Sequence, residues 1–76
     1  MKRQKFISSP FEPGEDTSTR VLFALSRAGL NMKFTNAVFH KVIAATKQEC
    51  HIISYLDEKD QPRQGKIYLN ENGEMS

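Results

Sequence analysis

Cys50 and His51 stand side by side, a thiol next to an imidazole, and that pair is where catalytic chemistry is first sought. A thiol nucleophile needs a base within hydrogen-bond reach. The surrounding CHIISYL alternates and is rich in β-branched and aromatic residues, so it reads as a strand. Neighbouring side chains of a strand point to opposite faces, and the two residues cannot form a dyad. Adding His40 gives three candidates without the paired spacing of zinc ligands, and a fourth ligand is missing. Asp57, Glu58 and Asp60 share a polar loop with no scaffold to capture an ion, and no glycine-rich phosphate cradle is present. No catalytic residue, metal ligand or cofactor is expected. The chain reads as a binding protein rather than an enzyme.

Binding chemistry is better represented. The net charge is only +2, but it is unevenly spread. Residues 20–48 carry Arg20, Arg27, Lys33, Lys41 and Lys47 with no acid among them, while Glu12, Glu15 and Asp16 precede this block and Glu49, Asp57, Glu58 and Asp60 follow it. Such segregation creates a local positive field that the total conceals. Within the block, Val38, Phe39, Val42, Ile43 and Ala45 recur at helical spacing, and Asn36, His40, Lys41, Ala44, Lys47 and Gln48 fall on the opposite side. Asn and Gln can pair with adenine, and Lys can reach guanine or phosphate.

The elements that must position these groups follow from local signals. A first helix is expected over 16–28, with N-cap oxygens on Asp16, Thr17 and Ser18, a stripe of Val21, Leu22, Leu25 and Ala28, and Gly29 as its stop. Phe23 is off that stripe and is expected to pack on the N-terminal arm. A second helix is expected over 35–48, capped by Thr35 and packed on the first through Val38, Val42 and Ile43. Strands near 51–56 and 66–70 then pair antiparallel across the loop DEKDQPRQG. The fold class is therefore α+β, a small single domain of two or three helices followed by an antiparallel hairpin. Residues 1–14 form an arm in which KFIS is a candidate strand, 15–70 the helix–helix–hairpin domain, and 71–76 a tail.

This element order is similar to that of winged-helix domains over roughly residues 16–70. The resemblance implies a small DNA-binding regulator whose second helix enters the major groove. Asn36, His40, Lys41 and Lys47 would face the bases and phosphates, Lys33, Arg63 and Lys66 would touch the backbone, and MKRQK would lie as an arm in the minor groove. The alternative is a protein-binding inhibitor or adaptor, or a self-associating chain. It is suggested by Phe6, Phe11, Phe23, Phe39 and Tyr68, which are numerous for so small a core. No charge-free stretch is long enough to span a bilayer. A lone cysteine fits a reducing, cytoplasmic setting.

Overall fold

The computed structural model describes residues 11–76. Helix α1 spans Ser18–Arg27, and strands β1, Lys33–Ile43, β2, Gln48–Leu56, and β3, Pro62–Leu69, follow it. The strands form one antiparallel sheet in the order β1-β2-β3, so each connection is a hairpin. The expected KFIS strand and the MKRQK arm lie outside the described residues.

Helix α1 starts and stops largely as its sequence dictates. Asp16 accepts the Ser18 amide at 2.8 Å and the Ser18 hydroxyl at 2.6 Å. Thr17 takes the N-cap position without a side-chain cap bond, because its hydroxyl turns to His51 instead. At the other end Gly29 adopts a left-handed φ of 73°, and the Leu30 amide reaches back to the Leu25 carbonyl at 2.9 Å. That closure satisfies a carbonyl the helix leaves open and needs a residue without a Cβ penalty. Val21, Ala24 and Leu25 are buried, whereas Leu22 is 51% exposed and Phe23 59% exposed, so Phe23 does not pack away as expected.

The expected second helix is not formed. Residues 33–43 are strand β1, and 44–47 make the turn into β2. Two effects account for the difference. Thr35, Val38, Phe39, Val42 and Ile43 are β-branched or aromatic, types that fit a pleated surface better than a helix. The register of β1 against β2 also shifts at two places, between Phe34 and Asn36 and between Phe39 and Lys41. Each shift inserts one extra residue, Thr35 and His40, as a bulge does. The second one stretches the spacing of core-facing residues from two to three, from Ala37 and Phe39 to Val42, and so imitates helical spacing in the sequence. The turn closes through the Lys47 amide and Ile43 carbonyl at 2.8 Å, with Lys47 at φ 62°.

One face of the sheet is packed on α1. Val21, Ala24 and Leu25 meet Ala37, Ile53, Ile67 and Leu69, with Met32, Phe34 and Tyr55 half-buried around them. Val21 and Leu25 belong to the core as expected. Val38 and Ile43 do not: they lie on the other face, and Val42 is only half-buried. The edges of the sheet are partly covered. Gly14, Glu15 and Thr17 exchange backbone hydrogen bonds with Phe39 and Ala37 along β1, and Met75 and Ser76 return to pair with Leu69 and Tyr68 of β3. Among the described residues no helix is long and apolar enough to cross a membrane.

Candidate nucleic-acid interface

Directly paired residues of antiparallel strands share a face, so the register assigns every strand residue to one side. The side turned away from α1 carries three rows across the strands: Asn36, Ser54 and Gln64; Val38, Ile52 and Lys66; Lys41, Cys50 and Tyr68. Lys33, Leu56 and Pro62 flank the first row, and Ile43 with Gln48 lies beyond the last. None of these strand positions is an acid. The acid of β2, Glu49, pairs with Val42 and Leu69 on the helix side and is 4% exposed. The charge segregation seen along the chain is thus carried in part to the sheet, since Asp16, bridged to Val38 at the edge of β1, stands beside the open face and Arg63 lies on the helix side. No described element packs over this open face, and Asn36, Lys41, Gln64 and Lys66 are exposed on it.

The sequence-predicted residues are only partly brought together. Asn36 and Lys41 share the open face with Lys66, although on a strand rather than a recognition helix. His40 occupies the bulge and is exposed beside them. Lys47 sits in the β1–β2 turn at the far end. Lys33 lies at the opposite end and is ion-paired with Asp60, both side chains well exposed. Arg63 is elsewhere: it pairs with Tyr55 on the helix side, and its guanidinium meets the Asp57 carboxylate at 2.9 Å. Lys41 and Lys66 make no ion pair with any described residue.

Arg63 is part of a turn built on Asp57. One carboxylate oxygen accepts the Lys59 amide at 2.8 Å and the Gln61 amide at 2.9 Å, while the other takes Arg63. Hydrogen bonds from the Gln61 amide, the Arg63 side chain and the Lys59 amide hold the Asp57 carboxyl below its ordinary range.

The helix side holds a buried polar chain that sequence reasoning missed. The Arg20 guanidinium grips Glu49 with two bonds of 2.7 Å, Glu49 meets His51 Nε2 at 2.9 Å, and His51 Nδ1 meets the Thr17 hydroxyl at 2.7 Å. A carboxylate can only accept, so Nε2 donates to Glu49, and Nδ1 shares the second hydrogen bond with the Thr17 hydroxyl. Phe39 and Phe11 stand edge-on to the imidazole at 5.5 and 6.2 Å, and Arg20 lies over the Phe11 ring at 5.2 Å. The order hydroxyl, imidazole, carboxylate is that of a hydrolytic triad. Here, however, the Thr17 hydroxyl belongs to a residue only 3% exposed and the imidazole is fully buried. The chain therefore ties the start of α1 to β2, and leaving one of its buried groups unpaired would cost about 1–3 kcal/mol. The sequence signal was present: Glu49 and His51 are two apart on a strand and so share a face. Their partners on α1 were not legible.

Cys50 and His51 face opposite sides, as expected for neighbours on a strand. Among the described residues no group of His, Cys, Asp and Glu is arranged to hold a metal ion. Comparison of the chain with protein-family models, with curated proteins and with solved structures finds no match.

Proposed function

We propose that this chain is a small DNA-binding protein that lays the open face of its sheet on a duplex. One observation carries the reading: the strand positions of that face are free of acids and present Lys41 and Lys66, ion-paired with no described residue, on one face with Asn36 and Gln64. Strands as well as helices read DNA grooves. Three strands spaced about 4.8 Å apart set the outer strand axes roughly 10 Å apart, against a major groove about 12 Å wide. The amides of Asn36 and Gln64 then face base edges, where they can pair with adenine, and Val38 and Ile52 offer apolar contact to thymine methyls. Lys41 and Lys66 reach phosphates on either side and set the register without reading sequence.

The test is the salt dependence of binding to a random-sequence duplex. Two to four phosphate contacts correspond to a log–log slope of about −2 to −4. A Lys41→Ala, Lys66→Ala double variant should flatten that slope by about 2, whereas Asn36→Ala should relax sequence preference and leave the slope alone. Both positions are exposed, so the melting temperature should hold. Unchanged affinity and slope in the folded double variant would retire the reading. Val38 and Ile52, half-buried at the centre of a face that no described element covers, favour a second one, an inhibitor or adaptor that binds a protein there. Binding of that kind would show little salt dependence and would be lost in Ile52→Asp.

A further inference from the structure

The side of α1 turned away from the sheet is unusual for a solvated helix. Its positions are Thr19, Leu22, Phe23, Ser26 and Arg27, all exposed, and Leu30 continues it beyond the helix at 48% exposure. Leu22 and Phe23 leave more than half of their surface in water, although Val21, Ala24 and Leu25 of the same helix bury nearly all of theirs. Beside this face runs a groove of about 530 Å³, lined in part by Phe11, Phe23, Arg27 and Asn72.

We propose that this face binds a second copy of the chain, with the two α1 helices antiparallel about a twofold axis. Leu22 and Phe23 are the two middle residues of the ten-residue helix, so an axis through them makes the apolar centre self-complementary. A twofold interface requires that property, because each contact must occur twice. The same axis sets Ser26 against Thr19 and brings Arg27 against the other copy's Ser18. There Asp16 and Glu15, both exposed, supply the opposite charge at the helix start. The helix face carries Arg27 as its one charge, exposed although it also donates to the Asn72 carbonyl at 3.2 Å, and antiparallel packing keeps the two arginines at opposite ends. The groove beside Phe23 extends the contact past the helix, receiving an aromatic ring from the other copy.

Size sets the strength. A ten-residue helix is about 15 Å long, and with its groove it provides less than the roughly 800 Å² per partner of a standard stable interface. The dimer should accordingly be weak and concentration-dependent.

Sedimentation velocity of the full chain from about 10 µM to about 1 mM covers the range expected of such an interface. The parent should pass from monomer to dimer across it, and Phe23→Glu should stay monomeric throughout with an unchanged melting temperature. Arg27→Glu should weaken association at least tenfold, and adding Glu15→Lys to it should restore most of the loss. The restoration separates a docking contact from a general effect on folding. A parent that remains monomeric at 1 mM overturns the proposal and leaves the face to a different protein. A dimer that survives Phe23→Glu overturns it as well, by placing the contact elsewhere.

Discussion

At the scale of single residues, a charge near the surface can be fully employed inside its own chain. Asp57, Arg63, Lys33 and Asp60 show this around the β2–β3 connection. Arg63 is occupied by Asp57, and Lys33 by Asp60, so neither is free for a phosphate without breaking a contact. Exposed ion pairs of this kind are worth little in stability, but the Asp57 carboxylate also orders the backbone of the turn through the Lys59 and Gln61 amides. Because its carboxyl is held below the ordinary value of about 3.9, the unfolded turn binds a proton more readily than the folded one. Its contribution is then fully present above that ordinary value and is lost as the pH falls through the lower, folded one. Following the Lys59 and Gln61 amide shifts by NMR should show the turn intact at neutral pH and loosening only in strong acid. Asp57→Asn should remove that transition and leave its neighbours' shifts nearly constant with pH. Asp16, lowered first by the Ser18 hydroxyl and then by the Ser18 amide, titrates in the same direction, so local amides report better than a global melt.

At the scale of elements, β1 shows how bulges decide what is buried. With Thr35 and His40 as extra residues, Ala37 and Phe39 face the core while Val38 and Ile43 face out. Two residues that look equally apolar in the sequence therefore have different energetic roles. Leu25 is 3% exposed against Ala37, Ile53 and Leu69, and its truncation to Ala should cost about 2–5 kcal/mol. That would lower the melting temperature by roughly 8–40 °C at about 4–8 °C per kcal/mol for a chain of this size. Ile43 is half-buried at the end of the open face, and Ile43→Ala should cost about 1 kcal/mol or less. Thermal melts of the two variants decide the point. Equal losses would mean that Ile43 sits in the core and that the register of β1 is wrong.

At the scale of the whole molecule, the fold is two layers, α1 on one face of the sheet and nothing described on the other. The two exposed surfaces are therefore back to back, the basic, amide-rich sheet face on one side and the Leu22–Phe23 helix face on the other. Paired through the helix, two copies would turn their open sheet faces outward in opposite directions. Such an arrangement suits bridging of two duplexes better than reading two adjoining half-sites. The surfaces share no residue, so effects on them should be additive. Phe23→Glu should abolish self-association while the monomer keeps the parent's salt slope on a short duplex. Lys41→Ala with Lys66→Ala should do the reverse. A change in both properties from either variant would show that the two faces are coupled.

What the sequence by itself determined was local: where α1 begins and ends, that Gly29 stops it, that 51–56 is a strand, that Cys50 and His51 diverge, and that the cations are segregated from the acids. Each follows from dihedral preferences or from period-two alternation, which act within a few residues. The tertiary structure decided the rest. Strand pairing with β2, including two bulges, made residues 33–43 a strand where apolar spacing suggested a helix. The same pairing put Lys66 on one face with Asn36 and Lys41, sent Arg63 to the opposite face, and joined Thr17 and Arg20 to Glu49 and His51 across some thirty residues of chain. Hydrogen bonds between strands depend on a partner far along the chain, and no window of sequence contains that partner. Segregated charge was therefore legible from the residues, but the surface that carries it was not.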